Sequence, residues 1–131
     1  MKKYKIIVFL VGIIMFIFIS LAVILNQITE KANAIGVSDV DLSAIPDGQY
    51  IGEYSIFPVY AKVAVTVKKH NFVEINILKH DNGFGSGAES IKENIEKEQS
   101  LNVDTISGAT VSSKCILKAV ENAIEKENDI Q

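Results

Sequence analysis

The chain is 131 residues long, enough for one small domain plus little else. Its 13 basic residues are all lysine, set against 16 acidic residues for a formal charge of −3. Beyond Leu25 stand 10 of the lysines and every acid. An acidic domain without arginine offers no field for phosphate backbones, which excludes a nucleic-acid binder. The apolar residues are too unevenly spread for a simple soluble cytosolic protein.

From Ile6 to Leu25 only Gly12 and Ser20 interrupt an apolar, uncharged run. Twenty residues at the helical rise span about 30 Å, the hydrocarbon thickness of a bilayer. Lys2, Lys3 and Lys5 precede it and stay cytoplasmic under the positive-inside rule. This reading makes residues 1–25 a single-pass anchor in the cell membrane, with the rest on the extracytoplasmic side. A cleaved signal peptide is the rival, because Ala32-Asn33-Ala34 has the form of a cleavage site. The apolar run is longer than such signals use and the site lies well past its end, so an uncleaved anchor is favoured.

Residues 26–46 show no convincing periodicity and read as a juxtamembrane linker, with a helical start continuing from the membrane. Asp47-Gly48 opens the domain, 47–131. Gln49 to Ser55 reads as a strand with Tyr50 and Tyr54 on one face. Lys62 to Lys68 alternates cleanly, Val63, Val65 and Val67 pointing one way. Phe72 to Lys79 repeats the pattern, with Val73, Ile75 and Ile77 inward. Lys69-His70-Asn71 is the hairpin turn between them, Asn tolerating positive φ. A Gly-rich stretch comes next, His80 to Gly87, and then a helix from Ala88 to about Gln99 that buries Ile91 and Ile95. A last helix starts near Thr110 or Ser112 and runs to about Asn128, with Ile116, Leu117, Val120, Ala123 and Ile124 in one stripe. The expected fold is α+β: a small antiparallel sheet packed against two helices.

The single cysteine, Cys115, forbids an intramolecular disulfide. With two histidines beside it, it also leaves no ligand set for structural zinc. Cys115 falls off the apolar stripe of the last helix, which suggests partial exposure, yet a small inert packing residue is the better reading.

The chemistry lies in Asp104-Thr105-Ile106-Ser107-Gly108-Ala109-Thr110-Val111-Ser112-Ser113. Four hydroxyls, on Ser107, Thr110, Ser112 and Ser113, surround a glycine at the mouth of a helix. A helix's first turn presents unpaired N–H groups and partial positive charge, and Gly108 lets a ligand approach the backbone. Together they make a seat for a phosphate. On spacing alone, a plain helix cap is the more economical account of the same residues.

The run Asp104-x-x-Ser107-Gly108-Ala109-Thr110 resembles the flavinylation motif of the FMN-binding domain family. That family is related to the flavin subunits of sodium-pumping NADH:quinone oxidoreductases and Rnf complexes. Asp47-Gly48-x-Tyr50-x-Gly52, the Lys62–Thr66 strand, His80, Gln99-Ser100 and Ile116…Ala119-Val120-x-x-Ala123-Ile124 also match the family's layout. Where larger relatives carry Glu-Thr-Pro-Gly after the histidine, this chain has Asp81-Asn82-Gly83-Phe84-Gly85, which sets it with the small single-domain members.

The resemblance implies covalent FMN, joined by a flavin transferase through its phosphate to Thr110. Asp104 and Ser107-Gly108-Ala109 are then read by the transferase or position the phosphate. Ser112, Ser113 and His80 are further cofactor-binding candidates, His80 as a neighbour that tunes the flavin or as a hydrogen-bonding loop residue. His70 is assigned no role. Tyr50, Tyr54, Tyr60 and Phe84 are candidates to stack on the ring, with core packing as the alternative for each. The acidic run Glu89 to Glu98 reads as a solvated helix face. The implied protein is an electron carrier, relaying electrons between a membrane-bound donor and an external acceptor, with no catalytic residue of its own. Two alternatives remain: a flavin-bearing subunit of a reductase whose catalytic domain is a separate chain, and a cofactor-free binding module.

Overall fold

The computed structural model describes residues 1–81 and 85–128. Its longest element, α1 (Lys2–Ala34), contains the whole apolar run without a break and continues beyond it for more than two turns. The helix is long and apolar enough to cross a membrane, and none of the 18-residue window that shows this is buried. After α1 the chain runs extended to a short 3₁₀ turn at Leu42–Ala44, capped by the Asp41 carboxylate, which accepts from Ser43 N–H.

Three strands come next: β1 (Gly48–Ile56), β2 (Val59–Lys68) and β3 (Asn71–Asp81). They form an antiparallel sheet in the order β1-β2-β3, joined by hairpins, which need only two connecting residues. In the β2–β3 turn the positive φ angles fall on Lys69 (49°) and His70 (61°). Asn71 already belongs to β3, so the expected role for asparagine at positive φ is corrected. Its side chain instead bonds the Lys69 carbonyl at 2.8 Å.

Val63, Val65 and Val67 are fully buried, as their alternation requires. β3 departs from simple alternation. Val67 pairs with Phe72 but Thr66 with Glu74, and Val63 pairs with Ile77 but Lys62 with Lys79. Val73 and Leu78 are thus extra residues, bulged out of the ladder, and both are half exposed. Phe72 therefore takes the inward place expected of Val73, while Ile75 stays buried and Ile77 packs partly against the core. The second bulge also re-phases the strand end. His80 pairs with Ala61 on the core face, and its side chain is only 1% exposed.

A 3₁₀ turn at Ser86–Ser90 leads into α2 (Ile91–Glu98), which buries Ile91 and Ile95. Gln99 closes α2 in the left-handed conformation. Its side-chain amide then accepts from Phe72 N–H at 2.7 Å and donates to Phe72 carbonyl at 2.8 Å. Glu96 accepts from Ile75 N–H at 2.7 Å. The two side chains occupy edge groups that β3 would otherwise offer to another strand. Glu96 is thus more than the solvated face expected of it.

The last helix, α3 (Thr110–Asn128), lies across β1 and β2 and buries its whole stripe from Ile116 to Ile124. At Gly52 the two elements touch backbone to backbone: a Cβ there would overlap the Ala119 carbonyl and the Ala123 amide. The stretch read as a linker is strapped to this body. Ala32, Leu42 and Ile45 are buried in the core, and Asp39 accepts from Ser100 Oγ at 2.8 Å and Leu101 N–H at 2.9 Å. His70 Nδ1 meets the Leu42 carbonyl at 3.0 Å, and Lys118 Nζ reaches the Gly36 carbonyl at 3.4 Å.

Candidate functional site

The segment before α3 is shaped by its own hydroxyls and glycine. Gly108 sits at φ +77°, where a side chain would be strained, with open space around its Cα. This reversal turns the chain into the helix: Ala109 N–H bonds the Ile106 carbonyl at 3.0 Å, and Ser113 N–H makes the first helical bond to Ala109 carbonyl at 2.9 Å. Ser113 is fully buried and its Oγ accepts from Ile106 N–H at 3.0 Å. Its hydroxyl is therefore committed to holding the loop against the helix, in line with the capping account. Thr110, Val111 and Ser112 occupy the first turn, whose N–H groups an α-helix leaves without internal partners.

Those first-turn residues open onto a cleft of about 430 Å³. Gly108, Ala109, Thr110, Val111 and Ser112 form one side. Pro58 and Val59 from the β1–β2 turn, Gly85, and Leu25, Ile28 and Thr29 from α1 form the others. The volume lies within the range of roughly 300–1,000 Å³ usual for small-molecule sites. Thr110 is half-buried in this lining, and Ser112 is only 2% exposed.

The other expected residues do not line the cleft. Asp104 and Ser107 are exposed on the approach loop. Asp104 lines a separate polar hollow of about 260 Å³ with Asn94, Glu98, Asn102 and Val103. His80 does not line the cleft. Its Nδ1 stands 3.1 Å from Glu89 Oε1, and its Nε2 is buried with no partner among the described residues. The pair ties the end of β3 to the 3₁₀ turn just after Gly85, and so steadies one wall. Sequence reasoning missed Glu89 as its partner, because only the bulge at Leu78 turns His80 toward it.

The tyrosines lie elsewhere. Tyr50 donates to the Pro46 carbonyl at 2.6 Å and Tyr60 to Glu53 Oε2 at 2.7 Å, while Tyr54 packs on the core. None of the three lines the cleft. Phe84, like Asn82 and Gly83, lies outside the described residues. Cys115 is fully buried, not partly exposed, and burial pushes its thiol up to about 11 against the smaller effect of hydrogen bonds with the Ile56 and Ala61 backbone. It donates to the Tyr54 carbonyl at 3.2 Å and is a packing residue. Among the described residues no cluster of acidic, histidine or cysteine side chains could hold a metal ion.

A small α+β body with a hydroxyl-bearing helix mouth facing a cleft has the form of a small-ligand-binding module. The chain belongs to the FMN-binding domain family, whose model matches residues 58–125, from the wall of the cleft at Pro58 through the entire motif into the last turns of α3. It is similar to the urocanate reductase of Eggerthella lenta, 38% identical over 66 residues that make up 48% of this chain and 11% of that protein. It is also similar to the NADH:acrylate oxidoreductase of Vibrio harveyi, 39% identical over 66 residues, 48% of this chain and 7% of that protein. The match therefore spans about a tenth of each relative or less.

The residues present fit FMN. The open first-turn N–H groups and the unobstructed Gly108 suit a phosphate, and the side of the cleft formed by Pro58, Val59 and Val111 is apolar enough for an aromatic ring.

Proposed function

We propose that this protein is a membrane-anchored, extracytoplasmic electron carrier with FMN esterified through its phosphate to Thr110. The observation that carries the reading is the place of Thr110: the last residue of the flavinylation-like motif is the first residue of α3 and lines the cleft half-exposed. A transferase using FAD forms a bond between Thr110 Oγ1 and the FMN phosphorus. The pyrophosphate bond of FAD breaks, AMP leaves, and the hydroxyl proton is released. Asp104 and Ser107, exposed on the loop that leads to Thr110, are accessible for the transferase to read.

The flavin supplies reversible uptake of one or two electrons, which phosphate linkage leaves unaltered. The protein's own residues do the placing. Gly108 opens the backbone, and the Thr110–Ser112 N–H groups face the single negative charge of a phosphodiester, a contribution of roughly 0.3–1 kcal/mol at a helix N-terminus. The apolar run of α1 serves as the anchor, with Lys2, Lys3 and Lys5 on the cytoplasmic side. Electrons come from a membrane-bound donor, and covalent attachment keeps the cofactor from being lost by dilution.

The decisive test is intact mass. Protein co-produced with a flavin transferase should gain the mass of FMN less one water, and Thr110→Ala should abolish the gain while leaving the circular-dichroism spectrum unchanged. An unmodified wild-type chain, or a flavinylated Thr110→Ala chain, refutes the assignment. A second reading draws on the names of the two relatives, both reductases or oxidoreductases acting on small unsaturated acids. In it the same flavin feeds a reductase whose catalytic domain is a separate chain, and co-purification of such a partner would favour it.

A further inference from the structure

We infer that the last turns of α1 are part of the cofactor site: in addition to the apolar side formed by Pro58, Val59 and Val111, Leu25 and Ile28 form a second apolar wall against which the flavin ring rests, and they hold it at the edge of the bilayer. The inference deepens the proposed function and rests on its two elements, FMN at Thr110 and α1 as anchor.

Residues 25, 28 and 29 fall on one face of a helix, since positions three and four apart are neighbours. All three line the cleft that Thr110 lines. Ile28 is half-buried, whereas every other residue from Leu21 to Glu30 is exposed. Thr29 spends its hydroxyl on the Leu25 carbonyl at 3.0 Å, so it adds no free polar group to the wall. The cleft is therefore two-ended. The α3 mouth offers N–H groups suited to a phosphate, and the α1 face offers hydrocarbon suited to a tricyclic ring.

The position of this wall is fixed. α1 is unbroken from Lys2 to Ala34, Ala32 is fully buried in the core, and Lys118 and Asp39 fasten the segment behind it. Leu25 is the last residue of the apolar run. Ile28 lies about 4.5 Å further along the axis at the helical rise. A ring against these two side chains sits where hydrocarbon gives way to headgroups, not at the tip of a free tether.

The full-length chain, flavinylated in cells and placed in phosphatidylcholine–phosphatidylglycerol nanodiscs, tests this by quenching of flavin emission. A nitroxide near the carbonyl end of the lipid chains should remove about half of the emission or more, and one at the chain terminus distinctly less. In the flavinylated fraction, identified by its mass, Ile28→Asp should raise the iodide Stern–Volmer constant about twofold. Flavinylated protein whose emission ignores both nitroxides, or an Ile28→Asp chain with unchanged iodide access, overturns the α1 wall and leaves the attachment standing. A wild-type chain with no mass gain overturns the attachment and this inference with it.

Discussion

Gly52 and Gly108 are both glycines for a physical reason, but the reasons differ. At Gly52 an added methyl would collide with the backbone of α3. Backbone cannot yield as a flexible side chain can, so Gly52→Ala should cost about 1–3 kcal/mol or more by overpacking. At Gly108 the space is open and only the positive φ resists, a strain of roughly 1–2 kcal/mol for an L residue. Thermal unfolding in detergent should rank Gly52→Ala below Gly108→Ala, and flavinylation should fall more in the latter, whose fold survives. Gly52 was legible only as part of a family-like pattern, since nothing local in its strand announces a helix backbone pressed against it.

Cys115 gives a pH prediction. Its folded pKa, about 11, is raised above the ordinary 9.0, so the unfolded chain ionises first as pH rises. The contribution of the buried thiol is complete below pH 9.0 and disappears as pH climbs through about 11. Denaturant midpoints should decline over that window, and Cys115→Ala should flatten the decline. In the native protein at pH 8 the thiol should resist iodoacetamide until denaturant is added. The sequence marked this residue as packing because a lone cysteine on a core helix usually is. Its exposure was misjudged because helical-wheel angles take no account of the β1–β2 turn folding over that flank.

Among the elements, β2 was readable and β3 only partly so. β2 keeps strict period two, so its three valines declare their face. β3 hides two insertions in an otherwise ordinary apolar strand, and each reverses the inside–outside assignment of the residues beyond it. Bulges are set by pairing with a partner strand, which a single strand's pattern does not contain. The consequence reaches the site, because His80 turned inward and joined Glu89. The helix mouth, by contrast, was fully legible: glycine, hydroxyls and an apolar stripe specify a capped start, and α3 begins at one of the two expected residues.

The strap between α1 and the sheet is the element whose strength is most testable. Burial works to raise the pKa of Asp39, but hydrogen bonds from Leu101 N–H, the Ser100 hydroxyl and Val40 N–H outweigh it and hold the carboxyl below its ordinary 3.8. A depressed folded pKa means the stabilisation is present above 3.8 and is lost as pH falls through the folded value. Asp39→Ala leaves Leu101 N–H without its acceptor and should cost about 1–3 kcal/mol at neutral pH. Urea titrations at pH 7 and pH 3 should show the variant's deficit shrinking at the lower pH.

At the scale of the molecule, the division into anchor, linker and domain understates how far the parts share one core. Residues 26–46 lack the periodicity that advertises burial, because the members that turn inward are irregularly spaced: Ala32, Leu42 and Ile45 are buried, and Ile35, Val37 and Val40 pack partly against the core. A leucine or isoleucine side chain such as Leu42 or Ile45 contributes about 1.5–3 kcal/mol when fully buried. A chain shortened to begin at Asp47 should therefore melt well below one beginning at Gly36, by about 4–8 °C for every kcal/mol lost. Differential scanning calorimetry of the two chains measures the difference directly.

The continuity of α1 also has a mechanical side. A spanning helix whose apolar length differs from the local hydrocarbon thickness tilts to make up the mismatch. With no hinge between Lys2 and Ala34, and with Ala32 locked into the folded body, that tilt has nowhere to relax. For the anchor proposed above, that makes α1 a lever: a thinner bilayer would lean the stalk and roll the whole head over the lipid surface by the same angle.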